Sequence, residues 1–342
     1  MRAIYRILDA NFNRAREALR VMEDFARFAL DDAALAGSAK QMRSRLQQVL
    51  TALPADALLA SRDTPADVGT TLTSPTETRR AVPADVVAAA CNRLTEALRT
   101  LAEYAKIVAP AEVARLESLR YEAYSLEQHL ARRVSASARF EPVRLYVLIT
   151  TRLCRLSPEA TAEAALAGGA GAIQVREKDL PDRDLLALAR RLREITARAG
   201  ALLIVNDRPD VAAVVGADGV HLGQTDLPVA AARRVLAPGA LVGVSTHMIA
   251  EARAAVEAGA DYIGVGPMFP TDTTDAGPVA GPAYLKQVCA EIALPHVAIG
   301  GIAVANIGEL VASGAQRVAV CSAVVAAEDP AAAAREIRDQ LP

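Results

Sequence analysis

The sequence predicts two parts in series. Residues 1–134 read as an all-α domain, 135–142 as a linker, and 143–342 as an α/β domain of the (β/α)8 barrel class. Three observations predict this. At 342 residues the chain is long for one average domain. Its first third carries helical periodicity and few strand-like runs. From Val143 onward, short apolar runs alternate with helix-compatible stretches eight times.

The helical part opens on a stripe of Leu8, Phe12, Ala15, Leu19, Met22 and Ala26, spaced to share one face of a helix. A polar stripe of Asn13, Glu17, Arg20, Asp24 and Arg27 runs beside it. A second helix is expected from about Ala39, after Gly37-Ser38, to Leu53, with Pro54 as its stop. The octet Asn13 to Arg20 then recurs, at an offset of 79, as Asn92-Arg93-Leu94-Thr95-Glu96-Ala97-Leu98-Arg99. This duplication predicts a pseudo-twofold pair of helices with matched polar faces. Ion pairing on a solvated face would also suit these charges, although it does not require the same residues twice. Between the copies, Ser61-Arg62-Asp63-Thr64-Pro65-Ala66-Asp67-Val68-Gly69-Thr70-Thr71 has no period, so a loop is expected. It suits a phosphate with a magnesium ion, or a plain polar connection. A last helix is expected from about Pro110 to Arg133, and the Ser-Ala-Ser-Ala run at 135–138 reads as the linker.

Eight strands are expected in the second part, at 145–149, 172–177, 201–206, 219–222, 241–245, 262–266, 297–300 and 318–322. Gly-Ala pairs precede many of them, as at Gly200-Ala201, Gly216-Ala217 and Gly259-Ala260, where glycine caps a helix and turns the chain back. A doubly wound open sheet is the alternative, but the G-x-G-x-x-G that marks one is missing after the first strand.

Composition narrows the function. Net charge is −2, which argues against an extended nucleic-acid surface. No apolar run approaches the roughly 20 residues that span a bilayer. Cys91, Cys154, Cys289 and Cys321 are scattered without CxxC spacing, as expected of reduced thiols in a cytoplasmic protein with no zinc site.

A barrel places chemistry at the C-terminal ends of its strands, and polar residues collect there. Arg176 and Lys178, with Gln174 and Asn206, suit a diphosphate. Asp207 and Asp226 suit Mg²⁺, and each also suits the cap of the helix that follows. Gly300-Gly301 and Ser322 lie where barrels hold a monophosphate, or they form tight turns. His221 and His247 are acid-base candidates or hydrogen-bonding wall residues. Cys321 is better suited to packing than to nucleophilic attack. Two phosphorylated substrates meeting on one face imply a transferase with diphosphate as its leaving group.

These motifs in combination resemble the thiamine-phosphate synthase (thiamine-phosphate pyrophosphorylase) family: Gln174-Val-Arg176-Glu-Lys178, Asn206-Asp207-Arg208, Asp218-Gly-Val-His221-Leu-Gly-Gln224-x-Asp226, Gly266-Pro-x-Phe-Pro-Thr271-x-Thr273 and Ile299-Gly-Gly-Ile302. The resemblance spans about residues 143–342. It implies that Gln174, Val175, Arg176, Glu177, Lys178, Asn206, Ser245 and Thr274 bind the pyrimidine diphosphate, with Arg176, Lys178 and Ser245 as the catalytic set. It implies Mg²⁺ at Asp207 and Asp226. It implies the thiazole phosphate at Thr271, Asp272, Thr273, Gly300, Gly301, Cys321 and Ser322. The family usually has Lys after Thr-x-Thr, and Thr274 stands there instead. Arg152 and Arg155 are the candidates to replace that cation. A related branch performs thiazole tautomerisation. It lacks much of the diphosphate-and-metal set, whereas Arg176, Lys178, Asn206, Asp207 and Asp226 are all present here, which favours the synthase; a tautomerase with a non-catalytic helical dimerisation domain is the alternative.

The helical part resembles a domain fused ahead of such synthases and described as an alternative hydroxymethylpyrimidine-phosphate kinase. The resemblance rests on Asp9-Ala-Asn-x-Asn13-Arg14-x-x-Glu17-x-x-Arg20 and Arg62-Asp63-Thr64-x-x-Asp67-Val68-Gly69-Thr70. Its candidate site comprises Asn13, Arg14, Glu17, Arg20, Arg62, Asp63, Asp67, Asn92, Arg93, Glu96 and Arg99, with ATP as co-substrate. A tethering or dimerisation module competes with that reading, and no P-loop is present. The expected partners are small phosphorylated molecules. A homo-oligomer stays open.

Overall fold

A computed structural model describes residues 1–30, 32–63, 67–68, 80–271 and 278–342, with Ser137 by its backbone only. The chain divides into two units, Met1–Val134 and Ser135–Pro342.

The first unit is helical: α1 (Arg2–Phe28), α2 (Ala33–Thr51), α3 (Ala55–Ser61), α4 (Pro83–Val108) and α5 (Val113–Phe140), whose last turns belong to the second unit. The predicted stripe of α1 is its buried face, from Leu8 to Ala26, none more than 4% exposed. Shifting each of its six positions by 79 gives Val87, Cys91, Leu94, Leu98, Leu101 and Ala105 on α4, and all six are buried too. The two helices pack against each other through these copies. The duplication therefore repeats the core face as well as the polar one.

Two expectations need correction here. α2 starts at Ala33, earlier than expected, because the Asp32 carboxylate caps it by accepting from Leu35 N at 3.0 Å. Gly37 sits inside the helix and does not open it. The last expected helix also runs past Arg133 into the expected linker, since α5 continues to Phe140 without a Pro or Gly to stop it. Ala136 and Phe140, one turn apart, are both buried.

In the second unit eight parallel strands close in chain order: β1 (Leu145–Ile149), β2 (Ala170–Val175), β3 (Leu202–Asn206), β4 (Gly219–Leu222), β5 (Leu241–Thr246), β6 (Tyr262–Val265), β7 (His296–Ile299) and β8 (Val318–Val320). β1 pairs with both β2 and β8, which rules out the open sheet. Helices α6 (Pro158–Ala167), α7 (Asp182–Ala199), α8 (Pro209–Val215), α9 (Val229–Val235), α10 (Ile249–Glu257), α11 (Gly281–Glu291), α12 (Ile307–Ala312), α13 (Ser322–Val325) and α14 (Pro330–Arg338) complete the unit.

Strand residues alternate between two cores. Val147, Val175, Val205, Val220 and Val265 belong to the layer shared with the helices. Tyr146, Leu148, Ala172, Ile204, Tyr262 and Val297 fill the barrel interior with Phe140. Phe140 lies against Tyr262, ring centroids 4.3 Å apart, and closes the end where the strands begin. Arg139 fixes that turn by donating to Asp218 Oδ1 at 2.6 Å and to the Gly239 carbonyl at 2.9 Å.

Candidate active site

At the opposite end a cavity of about 310 Å³ opens among the strand C-termini, a size suited to a small ligand. Polar side chains from five strands meet in its depth. Gln174 Nε2 donates to Tyr146 Oη at 2.9 Å, and Tyr146 Oη lies 3.2 Å from Tyr262 Oη. Tyr262 Oη is 3.1 Å from His221 Nδ1, and His221 Nε2 is 2.9 Å from Ser245 Oγ. Gly243 makes this possible: a Cβ there would come within 2.1 Å of the Tyr262 ring and 2.5 Å of His221 Nδ1. Burial lowers the His221 pKa to about 4, so the ring is neutral at pH 7. His221 is thus a bonded wall residue. Tyr146 and Tyr262 escaped the sequence reading. The available signal was two tyrosines on inward strand positions of an aromatic-poor chain, since a buried phenol needs a partner.

The rim carries the charges. β2 stops at Val175, so Arg176, Glu177 and Lys178 lie in the loop beyond it and not in the strand as expected. Arg176 and Lys178 line the cavity with Asn206. Val175 points outward into the helix-facing layer. The Glu177 carboxylate accepts from Thr151 N and Thr151 Oγ1, both at 2.6 Å, so it ties two loops together. Lys178 Nζ lies 3.0 Å from Asp207 Oδ2. Asp207 holds a left-handed backbone, φ 60°, that non-glycine residues rarely adopt. Asp226 is pushed above the usual carboxylate range, first by burial and then by the Asp207 carboxyl beside it. Neither acid caps a helix. The caps of α8 and α9 are Arg208 and Pro228 without side-chain bonds, and Asp226 Oδ2 accepts from Gly223 N at 2.6 Å.

Two adjacent carboxyl groups, the Asp226 one raised by burial and by its Asp207 neighbour, form a donor set that a divalent cation would relieve. Mg²⁺ fits it, with phosphate oxygens and water as its further ligands. Among the described residues no group of three or more His, Cys, Asp or Glu is placed to hold a metal by itself.

On the far wall Gly300 and Gly301 have φ 98° and 64°. A Cβ on Gly300 would sit 2.6 Å from Pro267 Cβ, and one on Gly301 2.5 Å from the Pro270 carbonyl. Only glycine fits this turn. Thr271, Cys321 and Ser322 line the same wall, while Asp272, Thr273 and Thr274 lie outside the described residues. Arg155 pairs with Glu328 at 3.1 Å and takes no part in the cavity lining. Arg152 acts on Cys321: burial raises that thiol, and Arg176 and Arg152 both pull it down. Of the two replacements suggested for a cation at 274, Arg152 is the one near the cavity. His247 also lines it, its Nδ1 3.0 Å from Glu251 Oε2.

In the helical unit Arg62 forks onto Asp9, 2.7 and 2.8 Å. Arg6 reaches the Asp63 carbonyl at 2.9 Å and the Asp67 carboxylate at 3.7 Å. Arg62, Asp63 and Asp67 are thus tied to the first turns of α1. Asn13 accepts from Arg16, and Arg20 pairs with Asp24 at 3.0 Å. Arg14 and Glu17 are exposed, as are Asn92, Arg93 and Glu96 on α4. Arg99 pairs with Glu103 at 3.2 Å and Glu117 at 3.9 Å. These bonds bring Arg62, Asp63 and Asp67 to α1, while Arg99 is held by α4 and α5 partners. Gly69, Thr70 and Thr71 lie outside the described residues.

The profile described as thiamine monophosphate synthase matches residues 145–324, and that described as the ThiD2 family matches 6–129. A thiamine-phosphate synthase of Gloeobacter violaceus is 45% identical, covering 96% of this chain and 94% of its own. The chain belongs to the thiamine monophosphate synthase family. A thiamine-phosphate synthase of Synechocystis is 43% identical over 99% of this chain and 96% of its own, so such relatives carry both units. The solved thiamine phosphate pyrophosphorylase of Pyrococcus furiosus matches the barrel: TM-score 0.55, 39% identity, 59% of this chain and 96% of that one. The thiamine monophosphate synthase match starts at the first residue of β1 and ends within α13. It therefore encloses every cavity residue named above. No described helix is long and apolar enough to cross a membrane.

Proposed function

We propose that the barrel unit joins 4-amino-2-methyl-5-(diphosphooxymethyl)pyrimidine to thiazole phosphate, releasing diphosphate and forming thiamine phosphate. The observation that carries this reading is one cavity with cations and paired acids on one rim and a glycine turn on the other. The methylene C–O bond breaks and its electron pair leaves on diphosphate. The thiazole nitrogen then attacks the pyrimidine methyl cation. Arg176 and Lys178 neutralise the departing diphosphate, and Asn206 donates to it. Asp207 and Asp226 would hold Mg²⁺, which when bound supplies further charge neutralisation to the leaving group. Gly300, Gly301 and Ser322 take the thiazole phosphate through backbone N–H groups, with Thr271 and Cys321 beside them. Ser245 and Gln174 contact the pyrimidine. Incubating the chain with both substrates and Mg²⁺ should release diphosphate stoichiometrically with product. A barrel that only rearranges thiazole phosphate would release none.

We further propose that the helical unit uses ATP to make the pyrimidine diphosphate, supported by its match to the ThiD2 family. The full chain given ATP, Mg²⁺ and the pyrimidine monophosphate should form ADP. A tethering module would form none. Four free cysteines fit a cytoplasmic site for both reactions.

A further inference from the structure

We infer that Gln174, Tyr146, Tyr262 and His221 form a one-directional hydrogen-bond relay that presents Ser245 to the substrate as a donor. The number of protons along the chain fixes its direction. Among the described residues Tyr146 Oη has two partners, Gln174 Nε2 and Tyr262 Oη. An amide nitrogen only donates, so the Tyr146 proton has one destination, Tyr262 Oη. Having accepted it, Tyr262 gives its own proton to its remaining partner, His221 Nδ1. A ring nitrogen that accepts is bare, which puts the imidazole proton on Nε2, 2.9 Å from Ser245 Oγ. Ser245 accepts that proton and keeps its own O–H for the cavity. A doubly protonated ring is excluded by the same count, because it would turn the Tyr262 proton back and strand that of Tyr146. Turning the Gln174 amide over would reverse every link, and Ser245 would then face the substrate only as an acceptor.

Tyr146, Tyr262 and His221 are positioning residues in this scheme, and Gln174, which also contacts the pyrimidine, sets their direction. Ser245 is the group that touches an acceptor atom of the substrate. Gly243 belongs to the device, because its missing side chain is the space that the two rings share. The identity of that substrate rests on the coupling reading, whereas the proton order does not.

The test is nitrogen-15 NMR of the full chain at pH 7 without substrate, with His221→Gln used to assign the ring. The expected result is a proton on Nε2 and a bare Nδ1. A proton on Nδ1 overturns the proposal. Gln174→Glu places a group that only accepts at the head of the relay, so the proton should move to Nδ1. Tyr262→Phe cuts the relay, so both tautomers should appear, and the KM for the pyrimidine diphosphate should rise about tenfold, the size of one lost hydrogen bond. A wild-type tautomer in both variants, or in Tyr262→Phe if Gln174→Glu does not fold, overturns the relay. The tautomer is read without turnover, so failure of the coupling assay and failure of the relay are distinguishable.

Discussion

Single residues carry several of the testable consequences. His221 titrates at about 4 when folded and near 6.5 when unfolded. Between those values the unfolded chain binds a proton that the folded chain does not. The stability contribution is therefore complete above pH 6.5 and is lost as the pH falls toward 4, by about 3 kcal/mol at most. Melting temperature measured across that window should fall less steeply in His221→Asn than in the parent. Gly300→Ala forces a Cβ into Pro267 on a left-handed backbone. It should cost about 1–3 kcal/mol and raise the KM for the thiazole phosphate more than that for the pyrimidine. At Thr274 the family pattern has Lys, and Thr274→Lys should leave or raise the rate of diphosphate release. A large loss in a single-turnover assay would show that the loop works differently here.

At the scale of elements, the barrel repeats one structural device. Asp218, just before β4, accepts from Leu203 N at 2.9 Å, with Arg193 and Arg139 each 2.6 Å away. Asp261, just before β6, accepts from Val242 N at 2.8 Å, with Arg233 at 2.7 Å. Each carboxylate pins a strand start to its neighbour and holds a helix by its arginine. Asp218→Ala strands two cations at a partly buried site. It should cost about 3 kcal/mol in urea titrations while the folded fraction keeps its activity. The signal for both was in the sequence, as Gly-Ala-Asp at 216–218 and again at 259–261. The strands and the loop cations were legible because polar residues ended apolar runs at regular intervals. β2 ends at Val175, two residues before the Glu177 that alternation predicts, because the Glu177 carboxylate is engaged by Thr151 in the neighbouring loop. The interior relay was illegible because contacts between Tyr146 and Tyr262, 116 positions apart, depend on barrel closure.

For the whole molecule, the domain count was readable from the change of period, and the division after Val134 falls where the helical part was expected to end; the helical state of residues 135–140 was not readable. The Ser-Ala-Ser-Ala run has a linker's composition, yet it also has a helix former's small side chains, and burial of Ala136 and Phe140 decides between them. Each unit has its own core. Arg176→Ala should therefore abolish coupling while ADP still forms from ATP and the pyrimidine monophosphate, with both measured in one sample. The stacking of Phe140 on Tyr262 makes the barrel a cul-de-sac. Whatever enters past Arg176 must back out the same way, so diphosphate and thiamine phosphate compete for the doorway with the next pair of reactants. Inhibition by either product, relieved by more substrate, is the kinetic signature of that shut floor.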